Sequence, residues 1–276
     1  MNAVDQSFSR VFYKLRAGIS PKKVHRLRTT IRRIESFIAL SGLKLGRKHQ
    51  EILEELTNLR KRAGRVRNFD VQIRLLGSIA NGSTISDRRI LVQIFKAKRE
   101  RQSRRLSSLL KKLDKAEIVG RLEKLIGKTS LAPASKKPID PLERAKSRLL
   151  RLANEIPTGE NLKARRLHEL RISLKRIRYT AELAEETAAR ALLLERLKSV
   201  QDAIGEWHDW ESLVKVAEKQ FGDRVNCPLL VEMRALFSAK YSAARSAAAS
   251  LRESFLPIPK KQPQSAALAP RPARLA

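Results

Sequence analysis

The chain has 276 residues, of which 42% are hydrophobic, so it has enough apolar material for a packed core rather than a disordered polymer. It contains 59 Lys and Arg against 28 Asp and Glu, a formal net charge of +31. Such a charge repels itself unless anions neutralise it, which makes nucleic acid, an anionic membrane or a phosphate polymer the candidate ligands. The alternative is a basic surface that binds nothing.

The predicted elements are all helices, because apolar residues recur at helical spacing and no segment alternates as a strand does. Helix-breaking Gly or Pro separates the first four helices, and a linker is predicted at 128–141. The eight predicted helices cover about 3–17, 21–41, 48–77, 86–114, 141–155, 162–187, 189–219 and 229–255. The Pro- and Ala-rich tail, 257–276, is expected to be disordered.

The sequence lacks the patterns of a membrane span, a signal peptide and a disulfide. No apolar run is long enough for a transmembrane helix, and the first 18 residues lack the apolar core of a signal peptide, so we expect a cytoplasmic protein that does not bind a membrane. The single cysteine, Cys227, excludes an internal disulfide and a zinc site built on several cysteines. It precedes Pro228 and is expected to pack at a helix start.

Two segments of the chain repeat one pattern. The stretches "VHRLRTTIRRIESFIAL" (24–40) and "LHELRISLKRIRYTAEL" (167–183) each carry His followed by basic residues three, seven and eight positions later. "GRVRNFDVQIRLL" at Gly64 and "GEWHDWESLVKVA" at Gly205 continue the match. We predict two tandem, duplicated four-helix bundles (1–127 and 142–256), related by an approximate twofold axis with a groove between them.

The repeated helices each place a basic row beside an apolar stripe. On a helical wheel His25, Arg28 and Arg32 lie within about 60° of each other. His168, Arg171, Lys175 and Arg178 cluster in the same way in the second copy. Arg33 and Arg176 point about 90° away and are expected to belong to the general surface.

Further basic residues are expected to face inward on their helices. Two others, His208 and Lys215, are included because they match Arg67 and Arg74 in the repeat. The full set is Arg60, Arg67, Arg74, Lys98, Arg105, His208, Lys215 and Lys240. Lone buried charges are costly, so we expect these rows to line a wet cleft. The alternatives are solvated faces whose side-chain stems snorkel, and ordinary packing roles for both histidines that begin the rows.

Aromatic residues are scarce, at 5% of the chain. Phe69, Trp207 and Trp210 are expected in the core, which leaves Tyr179 beside a basic row. Phosphate contacts without base-stacking platforms favour an all-phosphate polymer, with weak non-specific nucleic-acid binding as the alternative. The sequence identifies no protein partner.

Catalysis is the least expected function. The chain has no P-loop or His–Glu metal motif. His208 and Asp209 are adjacent on a helix and therefore point about 100° apart. Asp70, Asp209 and Glu211 are instead expected to be counter-charges for Arg and Lys. No catalytic residue, metal site or cofactor is predicted.

The repeated segments resemble the two signature helices of the CHAD family, the conserved histidine α-helical domain. "RNFDV" and "GEWHDW" resemble the family's third-helix segments, and the resemblance covers about residues 3–255. It implies two four-helix bundles around a basic central channel that binds inorganic polyphosphate without chemistry, in some members on polyphosphate granules. The implied ligand contacts are His25, Arg28, Arg32, His168, Arg171, Lys175 and Arg178; the wheel and the repeat add Arg67, Arg74, Lys98, Arg105, His208, Lys215 and Lys240.

Two positions depart from the family pattern. Glu35 stands where a further basic residue is usual, matching Arg178 of the second copy, and Asn68 stands where an aspartate is usual. Family members are often fused to a triphosphate tunnel domain. Residues 1–20 leave no room for one, so we expect a stand-alone member.

Overall fold

The computed structural model describes residues 3–42, 44–79, 82–131, 140–157, 162–222 and 227–255. Within those ranges the chain forms nine α-helices, one short 3-10 turn and no strand, which confirms the predicted all-α class. The helices are α1 (Ala3–Arg16), α2 (Pro21–Ser41), α3 (Arg47–Gly77), α4 (Ile85–Lys112), α5 (Lys115–Leu131), α6 (Pro141–Asn154), α7 (Ala164–Ala181), α8 (Ala188–Phe221) and α9 (Pro228–Glu253).

The prediction of four helices in the first half is wrong by one helix, because α5 is also helical. Gly120 and Gly127 lower the helix propensity of this segment, but burial of Ile118, Leu122 and Leu125 against the first core stabilises it. The helix takes in the start of the predicted linker. Residues 132–139 of that linker, and the predicted tail at 257–276, lie outside the described residues.

The predicted helix 162–187 ends earlier than expected, at Ala181. Turns and irregular backbone follow at 182–187, and Thr187 then begins α8, because its extended backbone lets the side chain accept a hydrogen bond from the Arg190 amide. Ser20 begins α2 in the same way, with Pro21 as the first helical residue. The Ser20 cap therefore fixes where the basic row of α2 begins.

Three hydrophobic cores hold the helices together. The first joins α1, α2 and α5 to the first part of α3 and the last part of α4. The second joins α6 and α7 to the first part of α8 and the last part of α9, and it contains the fully buried Trp207. The third is shared, because Leu76 and Phe95 of the α3–α4 hairpin pack with Trp210 and Met233 of the α8–α9 hairpin.

The shared core accounts for several residues that the sequence assigned to packing. Trp210 and Cys227 are buried in it, and Phe69 packs against it. The expected core roles of Trp207, Trp210, Phe69 and Cys227 are therefore confirmed. In addition α2 packs on α7 and α3 packs on α8, so the two halves meet along two helix pairs.

Candidate anion-binding cleft

The α2–α7 contact brings the two basic rows into each other's electric field. Burial, together with the charges of the nearby Arg32 and Arg60, lowers the pKa of Arg28 to about 10. Burial likewise lowers the pKa of Lys175 to about 7, with smaller contributions from Arg171 and Arg32 in the same direction. Cations from both helices therefore crowd one region that is largely shielded from water.

A cleft of about 980 Å³ lies along this region, between α2, α6 and α7. That volume is at the upper end of the range for small-ligand pockets. On the side of α2, α3 and α7 its basic lining is Arg32, Arg60, His168, Arg171 and Lys175. On the side of α6 it is Arg148, Arg151 and Arg176. The carboxylates of the described lining are Glu35 and Glu155, so positive charge dominates.

Arg28 lies beside this cleft, wedged between α2 and α3. Its Nη1 donates a hydrogen bond to the Arg60 carbonyl oxygen at 3.4 Å. A Cβ at Gly64 would overlap that Nη1 and lie 3.2 Å from Cζ of Arg28, so the glycine makes room for the guanidinium. Gly205, the glycine that matches Gly64 in the repeated sequence pattern, has no heavy atom within 4 Å of such a Cβ among the described residues.

Tyr179 and Glu35 set the positions of two arginines in the cleft. Cζ of Arg32 lies 5.8 Å from the centre of the Tyr179 ring, a cation–π contact. Glu35 Oε1 accepts from Arg60 Nε and from Thr57 Oγ1, each at 2.9 Å. The carboxylate at the position that departs from the family pattern therefore neutralises an arginine within the cleft.

Arg178, which matches Glu35 in the repeated sequence pattern, is also held by neighbours. Its Nε donates to Glu182 Oε1 at 2.9 Å and its Nη1 donates to Gln201 Oε1 at 3.4 Å. Glu182 Oε2 accepts from Arg33 Nε at 2.8 Å, so Glu182 links α2 to the end of α7. Arg33 is exposed, as expected of a surface residue, and it also bridges the two halves.

The three acids that were expected to be counter-charges have that role. Asp70 Oδ1 accepts from Arg99 Nε at 2.6 Å, Glu211 Oε1 accepts from Lys215 Nζ at 2.8 Å, and Asp209 Oδ1 lies 4.0 Å from Arg171 Nη2. Burial raises the pKa of Asp209, and the cations of Arg171 and Lys175 oppose that shift.

The histidines of α7 and α8 form a pair beside the acids. The rings of His168 and His208 lie 5.1 Å apart between centroids. Burial, together with the charges of Arg171 and His168, lowers the pKa of His208 to about 4, so the imidazole is neutral at pH 7. Its Nδ1 lies 3.7 Å from Glu211 Oε2.

Other predicted contacts divide into two groups. His25 keeps a large exposed surface on α2, and its partial burial, followed by the charges of Arg67, Arg28 and Arg178, lowers its pKa. Arg67 and Arg74 of α3 both act on the pKa of Asp209, where they oppose the effect of burial. The structure therefore gathers the α2, α3 and α7 residues of the predicted set, together with His208 of α8, into one electrostatic cluster.

The remaining four lie elsewhere on the surface. Lys98 is half-buried and Arg105 is exposed on α4, Lys215 pairs with Glu211, and Lys240 Nζ lies 2.7 Å from Glu206 Oε2. None of these four belongs to the cleft lining as far as the structure describes it. The structure does not bring them to the cleft.

The sequence analysis missed the α6 side of the cleft. Arg144, Arg148 and Arg151 are spaced by four and three residues, which is the signal of a single helix stripe. Arg176 was expected on the general surface, but it lines the cleft because the cleft continues around α7 towards α6. Arg60 was recognised as inward-facing yet not included among the ligand contacts.

The fold and the cleft define an all-helical protein with a strongly basic cavity between packed helices. The family model of the CHAD domain matches residues 3–218, and the chain belongs to that family. The crystal structure of the CHAD domain from the plant Ricinus communis has a similar fold, with a TM-score of 0.64 and 18% sequence identity over 91% of this chain and 88% of that chain. No curated protein matched the chain.

The described residues form neither a membrane span nor a metal site. No helix among them is sufficiently long and apolar to pass through a membrane. No group of three or more His, Cys, Asp or Glu among them is arranged to hold a metal ion.

Proposed function

We propose that the protein binds inorganic polyphosphate in the cleft between α2, α6 and α7. The observation that carries this is the meeting of two basic rows, Arg28 and Arg32 with Arg171 and Lys175, in one region where cations outnumber carboxylates. Each guanidinium or ammonium group is a donor for phosphate oxygens. Membership of the CHAD family is consistent with this ligand.

The predicted architecture around the ligand belongs to the same proposal. Two duplicated bundles would face each other across an approximate twofold axis, and their α2 and α7 helices would form the sides of a basic central channel. The direct packing of α2 on α7 and of α3 on α8 supports this arrangement.

The second candidate is non-specific nucleic-acid binding, because the same cations would also contact a nucleic-acid backbone. Single-strand binders add aromatic platforms on which bases stack. Tyr179 is the aromatic residue of the described cleft lining, and Arg32 lies over its ring. A phosphate chain has no bases and needs no platform, which favours polyphosphate.

We propose binding without turnover. His208 and Asp209 interact with different partners, Glu211 and Arg171, instead of forming an acid–base pair with each other. Long-chain polyphosphate incubated with the protein and Mg²⁺ or Mn²⁺ should keep its length on a gel. Orthophosphate release that disappears in H208A/D209A would contradict this proposal and reveal an enzyme.

The test of the ligand is a competition experiment. End-labelled long-chain polyphosphate is bound at physiological salt and challenged with duplex DNA and with RNA at equal phosphate concentration. Polyphosphate should remain bound. Displacement by either nucleic acid at equal phosphate would refute the polyphosphate proposal and favour the second candidate.

The test of the site compares the two rows. R28A/R32A and R171A/K175A should each weaken long-chain binding by about tenfold or more, which is about 1.4 kcal/mol, and should lower the salt slope by about two units at most. Arg33 and Arg176 are unsuitable as a control pair, since one bridges to Glu182 and the other lines the cleft.

A matched control is available on α8. Arg196 and Lys198 are exposed there and lie outside the described cleft lining. R196Q/K198Q removes the same total charge and should bind within about twofold of wild type, because exposed charges are screened at physiological salt. Equal losses in this variant and in the row variants would show a diffuse basic surface instead of a site.

We further propose a cytoplasmic location on polyphosphate granules. A fluorescent fusion of the full chain should concentrate on granules in cells that accumulate polyphosphate. R171A/K175A should spread through the cytoplasm, and persistence of that variant on granules would contradict recruitment by the cleft.

A further inference from the structure

The α6 side of the cleft is a cluster of arginines without counter-charges. Arg148 is half-buried and lines the cleft with Arg151 and Arg176, and Arg144 lies one turn before Arg148. Within the ranges that the structure describes, the side chains of these four arginines make no ion pair or hydrogen bond. We call Arg148, Arg151 and Arg176 the α6 patch.

The electrostatics of Arg148 shows how closely these cations approach. Burial lowers the pKa of Arg148, and Arg144, Arg151 and Arg176 lower it further, with no carboxylate acting in the other direction. Like charges at such helix spacings destabilise by about 0.2–0.5 kcal/mol per pair. An anion bound among them would remove this repulsion.

The carboxylates that line the cleft have other partners. Glu35 is bonded to Arg60 and Thr57, and Glu155 Oε2 lies 3.3 Å from Arg166 Nη2. Neither acid is paired with the α6 patch. The patch therefore differs from Arg60 and Arg171, which already have a carboxylate nearby.

The patch continues from the basic row of α7. That helix lines the cleft from His168 to Thr180, which spans about 18 Å along the helix axis. Lys175 and Arg176 are adjacent, so their side chains leave the helix about 100° apart, one towards the α2–α7 row and the other towards α6. A ligand held by the row can pass around α7 to the patch within a single cleft.

We propose that the α6 patch is a second subsite for the polyphosphate chain, which only a chain longer than the α2–α7 row can fill. This inference rests on the proposed function and adds a preference for long chains. Once the row holds one part of a long chain, the next phosphates are present at the patch at high effective concentration. A short chain fills the row and gains nothing from the patch.

The test uses R148Q/R151Q with two ligands, tripolyphosphate and long-chain polyphosphate. Long-chain affinity should fall by about tenfold and the salt slope by up to about two units, since two phosphate contacts are lost. Tripolyphosphate affinity should change by less than about twofold, because screened charges act weakly at a distance. The α8 variant R196Q/K198Q is the charge-matched control and should change neither.

Folding does not obscure the result. Removing mutually repelling charges should leave the melting temperature of R148Q/R151Q at or above that of wild type. Long-chain affinity equal to that of the control would overturn the subsite, while loss in R171A/K175A would still support the row. Equal losses for both ligands would also overturn it, because the patch would then belong to the primary site. If wild type prefers RNA, both the proposed function and the subsite fail.

Discussion

Replacing Gly64 with alanine tests the position of Arg28 without touching any charge. The new Cβ would overlap Nη1 of Arg28, and the guanidinium must leave the space between α2 and α3. Arginine is flexible, so it can swing away at the loss of one long hydrogen bond, 3.4 Å to the Arg60 carbonyl. The positive charge is kept, but its location beside Arg32 and Arg171 is lost.

The expected energies separate stability from binding. Alanine stabilises a helix interior by about 1 kcal/mol relative to glycine, and the lost hydrogen bond costs about as much, so the unfolding free energy should hardly change. A hydrogen bond to a charged group contributes about 1.5–3 kcal/mol, so losing the Arg28–phosphate contact should weaken long-chain binding by about tenfold or more. The salt slope should fall by about one unit.

The assay is fluorescence anisotropy of labelled long-chain polyphosphate over a salt series, with urea unfolding in parallel. Gly205→Ala is the internal control, since nothing described lies within 4 Å of its added Cβ. G205A should gain up to about 1 kcal/mol of stability and bind as wild type. G64A and R28A should not be additive, because they remove the same contact. Wild-type affinity in G64A, or an equal loss in G205A, would refute the reasoning.

Two further predictions concern Glu35 and Lys175. E35Q removes a carboxylate from the cleft and frees Arg60, so polyphosphate affinity should rise by about threefold or more, whereas E51Q, in an exposed pair, should leave anisotropy titrations unchanged. Because burial lowers the pKa of Lys175 to about 7, the amine loses its proton as pH rises, and affinity should fall between about pH 6 and about pH 9. The stability of the free protein should show the opposite trend. Between the folded pKa of Lys175, about 7, and its ordinary value of 10.5, the unfolded chain binds more protons than the folded one. The unfolding free energy, measured by urea titration, should therefore rise with pH. K175M should flatten the pH dependence of both the affinity and the unfolding free energy. If both dependences persist in K175M, another group causes them.

The parts of the site that the sequence predicts are those governed by local periodicity. His25, Arg28 and Arg32 share a helix face with fixed spacing, and the matching residues of α7 repeat it, so their clustering follows from helix geometry. The core roles of Trp207 and Trp210 follow from their neighbours on the same helix. Local spacing is independent of which helices pack together.

The parts that the sequence missed depend on tertiary packing. The stripe that includes Arg148 and Arg151 is visible on α6, but only the placement of α6 beside α7 makes it line the cleft. Helix geometry directs Arg176 about 90° away from the row, yet the cleft extends far enough around α7 to include it. The two glycines of α5 give it a low helix propensity, so the sequence did not indicate a helix there. Burial against the first core stabilises it.

The third core makes the two halves of the chain depend on each other for stability. Leu76 and Phe95 of the first half would expose their apolar surfaces if Trp210 and Met233 were removed, and the reverse also holds. Because neither half can bury this surface alone, we expect the halves to melt in one cooperative transition and to aggregate when expressed separately. Because this core joins the two halves, we expect it to fix the spacing of α2 and α7 in the ligand-free protein. A change to a buried residue at the far end of the hairpins can therefore alter ligand affinity without touching a single basic side chain.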